Sequence, residues 1–396
     1  MGVILGSDRL LESSLLEGHR VGLVSNPASV GHAGAGAPAV NGLQHTADRL
    51  ASRHDVTLAA LFGPQHGFNA DVQDNMVETG HAHDRQRRVP IYSLYSETRE
   101  PGAEMLAGLD DLIVDLQDIG ARIYTFIYTM ANCLRAASRH GVHVIVCDRP
   151  NPIGGIDVEG PMLAPGYESF VGQFPIPMRH GMTIGELARL FNDHFGIGAK
   201  LTVVEMRGWQ RAMYWDDTGL PWVMPSPNMP TLDTAIVYPG MVLFEGTNLS
   251  EGRGTTRPFE MSGAPWIDAR SLADGMNETA LPGAWFRPVG FEPTFQKHAR
   301  QACGGCQIHV TDRRAYKPVL TGVALLAGYR RLGRARFAWR QPPYEYELTK
   351  QPIDILAGSD RLRRQIDADM PAREIAASWD DEVREFQDVR EKFLLY

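Results

Sequence analysis

Four short apolar runs in the first 150 residues each stop on side chains that can bind or react. They end in Ser25-Asn26-Pro27, Gly63-Pro64-Gln65-His66-Gly67, Asp115-Leu116-Gln117-Asp118 and Asp148-Arg149-Pro150-Asn151-Pro152. Taken singly, such residues cap helices and close turns. Four coincident polar ends, brought to one edge, would instead form a polar constellation. The spacings of the common cofactor motifs are missing. Glycines 31, 34 and 36 run G-x-x-G-x-G, not G-x-G-x-x-G, and there is no P-loop, nucleophile elbow or H-E-x-x-H. His81 and His83 form an isolated His-x-His with no companion ligands. Cys303-Gly304-Gly305-Cys306 lacks the second ligand pair of a zinc site, and is read as reduced, structural thiols in a turn.

The elements that must position these residues are legible as β-rich runs at Val21–Ser25, Thr57–Phe62, Ile91–Leu94, Leu112–Leu116 and Val142–Cys147. Helix-like spacing lies between them at Leu43–Ser52, Glu104–Leu109 and Phe126–His140. Alternation of this kind predicts an α/β fold with a doubly wound parallel sheet, whose ligands sit beyond the carboxyl ends of the strands. A capping box at Thr183-Ile184-Gly185-Glu186 predicts a helix start. Pro225-Ser226-Pro227-Asn228-Met229-Pro230 is expected to run extended. From about residue 266 the character changes, with 16 Lys and Arg against 14 Asp and Glu over residues 312–396, which with the strand–helix alternation places the doubly wound domain at 1–265 and a smaller α+β domain at 266–396.

Composition narrows the function. Lys and Arg total 39 against 47 Asp and Glu, a net charge of −8, which offers no broad field for nucleic acid or anionic lipid. The arginines between 330 and 340 are read as a solvated helix face. No apolar run reaches the 18 or so residues of a membrane span. The N-terminus lacks a basic segment followed by an apolar one, so the expected location is cytoplasmic, unless a leader has been trimmed. Gly (40) and Pro (26) are in excess, which implies many shaped loops.

The strand-end motifs, with Asp118-Ile119-Gly120-Ala121-Arg122-Ile123-Tyr124-Thr125, Val158-Glu159-Gly160-Pro161, Arg179-His180-Gly181-Met182-Thr183, the Pro225–Pro230 segment and Glu245–Gly254, resemble the exo-β-N-acetylmuramidases of NamZ type. So do Gln307–Asp312 and Ile353–Asp360, and the matches run in order along nearly the whole chain. The resemblance implies a Rossmann-like catalytic domain, a smaller C-terminal domain and a cleft near their junction. The implied activity is release of N-acetylmuramic acid from the non-reducing ends of peptidoglycan fragments, with no cofactor or metal. One position departs: many members carry Glu where this chain has Gln65, and an amide cannot exchange the catalytic proton. The alternative is therefore a non-catalytic amino-sugar or muropeptide binder.

Glycosidic cleavage usually takes two carboxyl groups, although a 2-acetamido group can replace one of them. Glu159, in a Gly-Pro loop after the fifth run, is the first catalytic candidate, set against a surface-turn carboxylate. Glu78, shortly after the Gln65 loop in Gln73-Asp74-Asn75-Met76-Val77-Glu78, is the second. Asp115 is expected to be structural and Asp118 to hold sugar hydroxyls, while His66 and His180 hydrogen-bond substrate. Asn26, Gln65, Asn151, Asn228 and Glu251 are further substrate contacts, and Asn26, Gln65, Asp118, Asn151 and Glu159 should face one cleft. The lactyl carboxylate of the muramic sugar calls for a guanidinium fork. Arg122, Arg179, Arg253 and Arg257 are the loop arginines available. Arg253, flanked by Gly252 and Gly254, is preferred, against the competing reading of a salt bridge to Glu245 or Glu251.

Overall fold

The apolar runs become strands because they are buried on both faces, the condition under which parallel sheets form. The computed structural model describes residues 2–32, 42–74 and 76–396, so Gly34, Gly36 and Asn75 lie outside it. Its central sheet has seven strands in the spatial order Leu201–Val204, His143–Cys147, Asp111–Asp115, Arg20–Ser25, Thr57–Gly63, Val89–Ser93, Ala82–Asp84. Every neighbouring pair is parallel except the last, an antiparallel edge. Val21 sits opposite Asp111 and Ser25 opposite Asp115, the parallel register expected for these two runs. The chain adds strands to one side of Arg20–Ser25 and then crosses to the other. The topological switch thus falls between that strand and Asp111–Asp115.

The helix Phe126–His140 buries Phe126, Ile127, Met130, Ala131 and Leu134 on the sheet and ends at Gly141 in the left-handed region. At Thr183 the expected capping box is complete: its hydroxyl accepts from the Glu186 amide, and the Glu186 carboxylate accepts from the Thr183 amide.

Three local expectations are corrected. Leu43–His45 is a strand paired with Val30–His32, and the helix begins only at Thr46, where His45 Nδ1 accepts the Ala47 amide. The Pro225–Pro230 segment contains a turn, closed by the Met229 amide on the Ser226 carbonyl at 3.1 Å, and is not extended throughout. Cys303 and Cys306 lie in the strand Cys303–Val310, not in a turn. Three residues apart on a strand, they face opposite sides of the sheet. Both are free, and burial raises their thiols to about 11 and about 12.

That strand is the centre of a three-stranded antiparallel sheet, flanked by Met261–Ala264 and Ala284–Phe291. The helix Pro318–Gly333 packs against Leu232–Met241 so closely that a Cβ on Gly240 would lie 1.9 Å from the Pro318 carbonyl oxygen. One apolar core, from Val24 to Phe386, runs through both sheets, so the loops between them are held on a common frame.

Candidate active site

Beyond the carboxyl ends of the central strands lies a narrow chamber lined by Gln65, His66, Tyr124, Thr125, Ser226, Asn228, Tyr238, Glu245, Arg253, Tyr344 and Glu345, with apolar patches from Phe126 and Phe259. Its free volume of about 40 Å³ holds roughly three waters or one sugar substituent. Beside it opens a groove of about 670 Å³, whose walls include Glu78, Arg99, Phe170, Tyr346 and, again, Glu345.

Gln65 reaches the chamber because the chain folds back sharply after its strand. A Cβ on Gly63 would lie 2.5 Å from the Phe68 nitrogen, so only glycine allows the turn. The Thr125 hydroxyl donates to Gln65 Oε1 at 2.8 Å, which turns Nε2 toward Glu345 Oε1 at 3.4 Å. Glu345 Oε2 accepts from the Tyr95 hydroxyl at 2.9 Å. Burial, chiefly, and the nearby Glu245 charge push the Glu345 carboxyl up to about 7, so it holds a proton near neutrality. His66 is also buried, which pushes it down to about 4 and leaves it neutral. Its Nδ1 donates to the Val72 carbonyl at 2.8 Å, leaving Nε2 as an acceptor.

The opposite wall is ionic. Arg253 Nη2 donates to Glu245 Oε1 at 2.6 Å, and its Nε lies 3.3 Å from Glu251 Oε1. Lys297 Nζ is 2.7 Å from Glu251 Oε2, so two cations face two carboxylates. Burial works against the Glu245 charge, but Arg253 and the Tyr344 hydroxyl, donating at 2.6 Å, more than offset it and hold the carboxyl below its ordinary value. Burial likewise opposes charge on Arg253, and Glu245 with Glu251 reverses the balance and raises its pKa. Arg253 Nη1 has no protein partner among the described residues. The chamber therefore pairs a protonated carboxyl with an ionised one, the arrangement that separates acid from base roles.

Of the residues expected from sequence, Gln65, His66, Asn228 and Arg253 line this chamber, and Arg253 also makes the salt bridge to Glu245 that was its competing reading. The other candidates lie outside its lining. Glu159 Oε1 accepts the Leu320 amide at 2.8 Å, so it caps the helix Pro318–Gly333 and does not reach the chamber. Its carboxyl is raised by burial, an effect that the Leu320 and Val319 amides and Arg179 oppose. Glu78 is 52% exposed on the groove rim, 3.3 Å from Arg99 and 3.0 Å from the Tyr346 hydroxyl. Glu251 stands behind Arg253, outside the lining.

Four more lie outside this lining and bond chiefly to nearby backbone, with Asp118 Oδ1 and His180 Nε2 left buried and without a hydrogen-bond partner among the described residues. The Asn26 carboxamide accepts the Ala28 amide and donates to the Gln117 carbonyl. Asn151 bridges Met182 and Ile153, and Asp118 accepts the Gly120 amide at 2.7 Å, 3.4 Å from His180. His180 Nδ1 accepts the Met182 amide. The arginines divide in the same way: Arg179 donates to the Ile153 carbonyl and meets Asp157, and Arg257 meets Glu260. Arg122 is fully buried and donates to the Leu356 carbonyl, and its pKa is lowered to about 10 by burial. Of Asn26, Gln65, Asp118, Asn151 and Glu159, expected in one cleft, Gln65 is the one that lines this chamber. Asp115 is structural as expected, since both its oxygens bind Arg149, at 2.5 and 3.0 Å.

Glu245, Tyr344, Glu345 and Tyr95 were absent from the candidates. The available signal was Pro342-Pro343-Tyr344-Glu345-Tyr346-Glu347, where a stiff pair of prolines precedes alternating aromatic and acidic residues.

Comparison with known proteins bears on the chemistry of this chamber. The family model for the N-terminal part of the exo-beta-N-acetylmuramidase NamZ matches residues 21–233, and that for its C-terminal part matches 236–396. The peptidoglycan beta-N-acetylmuramidase NamZ of Bacillus subtilis (strain 168) is 45% identical over 394 residues, 99% of this chain and 91% of that protein. A solved DUF1343 family protein of Bacteroides fragilis NCTC 9343 superposes with a TM-score of 0.87 at 34% identity, covering 100% of this chain and 99% of its own. A second from the same organism gives 0.76 at 27% identity, with the same coverage.

Proposed function

The chain belongs to the exo-β-N-acetylmuramidase NamZ family, and from that premise we propose how its chamber and groove receive the non-reducing end of a peptidoglycan fragment. The protein is a glycoside hydrolase that releases N-acetylmuramic acid. The observation that carries this is the 45% identity to a peptidoglycan beta-N-acetylmuramidase across 99% of the chain.

The chamber is too small for a pyranose, so the terminal sugar sits at its mouth and only a substituent enters. Arg253 Nη1 supports the lactyl carboxylate as that substituent, since it is the group on a muramic sugar that a guanidinium recognises. The neighbouring carboxylates Glu245 and Glu251 already neutralise Arg253 and Lys297, so the lactyl group is bound by directed hydrogen bonds more than by net charge. His66 Nε2, as an acceptor, suits a sugar hydroxyl or an acetamido N–H.

A chromogenic N-acetylmuraminide tests the reading, with the matching N-acetylglucosaminide as control. Release from the first and little from the second is expected. Gln65 in the chamber wall favours one competing reading, an amino-sugar binder without turnover. Tight calorimetric binding of N-acetylmuramic acid with no release from any muraminide would establish it.

A further inference from the structure

We propose that Glu345 is the proton donor to the departing glycosidic oxygen, and that the groove beyond it receives the leaving part of the fragment. This assignment rests on the hydrolase reading above. Among the described residues, Glu345 is the one carboxyl that lines both the chamber and the groove. A bond cleaved between a sugar at the chamber mouth and the rest of the fragment in the groove must pass beside it.

The turn that presents it is built at a cost. Tyr344 and Glu347 exchange both backbone hydrogen bonds at 2.9 Å, so Glu345 and Tyr346 are the central pair of a two-residue hairpin turn. Both have positive φ, 44° and 69°. Such turns ordinarily use Asn and Gly, whose backbones accept that region, and two consecutive side-chain-bearing residues there mark stored strain. The strain is matched by fixation of the carboxyl, which accepts from Tyr95 on one oxygen and Gln65 on the other. Gln65 is an amide and cannot take up the proton, so it orients Glu345 without competing for it. Burial supplies the remaining condition, a carboxyl that is still protonated near neutral pH.

In the step proposed, the C1–O bond breaks with its electron pair going to oxygen, and the Glu345 proton passes to that oxygen to form the leaving hydroxyl. Water, the co-substrate of hydrolysis, then supplies hydroxide to C1, and its remaining proton returns to the Glu345 carboxylate. On the groove side the Arg99 guanidinium lies 4.4 Å from the Tyr95 ring centre and 4.3 Å from that of Tyr346, which makes a flat wall for the departing sugar.

The test compares wild type with Glu345→Gln and Glu345→Asp on two substrates. One is a muraminide whose leaving group is N-acetylglucosamine, and the other is a dinitrophenyl muraminide, whose phenolate departs without a proton. Glu345→Gln should lose at least about 100-fold in kcat on the disaccharide and less than about tenfold on the aryl substrate. Calorimetric affinity for N-acetylmuramic acid should stay within about threefold. Glu345→Asp, which keeps the acid but shortens its reach, should fall between the two on the disaccharide. Equal losses on both substrates, or loss of sugar binding, would make Glu345 a wall residue and overturn the assignment. Unchanged disaccharide turnover in Glu345→Gln would overturn it alone, whereas a wild type inactive on both substrates would overturn the hydrolase reading and the assignment with it.

Discussion

Two clusters of polar side chains lie beyond the same strand ends, and they are wired differently. In the first, around Asn26, Asp118, Asn151 and His180, the partners are mostly backbone amides and carbonyls of nearby loops. In the second, Gln65, Glu245, Arg253 and Glu345 bond mainly to other side chains, drawn from distant parts of the chain. A side chain whose hydrogen-bonding capacity is spent on backbone holds a loop in shape and has little left for a ligand. One bonded through other side chains can exchange partners when a substrate arrives. Strand-end position is thus shared by both clusters, which differ in the partners they mostly use, while Asp118 Oδ1 and His180 Nε2 of the first keep no hydrogen-bond partner among the described residues.

The sharpest way to break the contrast is to cut one ion pair of the scaffold and one of the chamber. Asp115→Asn leaves the buried Arg149 guanidinium without its counter-charge and should cost about 3–5 kcal/mol of stability in urea unfolding, while the folded fraction keeps its turnover. Lost turnover with unchanged stability would mean that this pair belongs to the site. In the chamber, Arg253→Ala would remove the arginine that Glu245 and Glu251 share and confuse folding with binding, so Arg253→Lys is the cleaner change. It keeps the charge and loses the fork. Affinity for N-acetylmuramic acid should fall about 10- to 150-fold, the equivalent of roughly 1.5–3 kcal/mol, with N-acetylglucosamine far less affected. Equal losses for the two sugars, measured by calorimetry, would mean that Arg253 shapes the wall without reading the lactyl group.

A third outcome concerns pH. Glu345 is raised to about 7, chiefly by burial. The charged and titratable groups facing it are Glu245, Arg253, Tyr95, Tyr238, Tyr344 and, on the groove side, Arg99. Because the donor acts in its protonated form, kcat/KM on the disaccharide should be highest below about 7 and fall toward tenfold per pH unit above it. The linked effect on stability has the same sign: a raised folded-state value means that the contribution is fully present below the unfolded carboxyl range and is lost as pH rises through about 7. Glu345→Gln should abolish both trends, and an unchanged alkaline limb in that variant would assign the limb to another group.

The smallest effect is expected at Glu159. As the cap of the helix Pro318–Gly333, its change to Gln should cost about 0.5–2 kcal/mol and leave turnover within about threefold. A collapse of turnover would restore it to the catalytic machinery.

The sequence by itself determined the parallel strands, the helix between Phe126 and His140, the capping box at Thr183 and the family, because each is written in local periodicity, local capping chemistry or colinear motifs. It also singled out Gln65, His66, Asn228 and Arg253, which stand in loops with distinctive neighbours. It could not rank Glu159 against Glu345. Both are acidic residues close to a proline in sequence, and nothing in their immediate neighbours tells which one meets a helix N-terminus and which a chamber. Glu345 is 280 positions from Gln65 and 250 from Tyr95, so the contacts that define it exist only once the C-terminal turn has packed over the central sheet. The half-exposed edge strand Leu201–Val204 escaped detection for a related reason, since edge strands carry a weaker apolar signal than central ones. Proton affinity follows the same division. A carboxyl begins with the same intrinsic value in every loop, and only its burial and its neighbours in space decide whether it holds a proton at neutral pH.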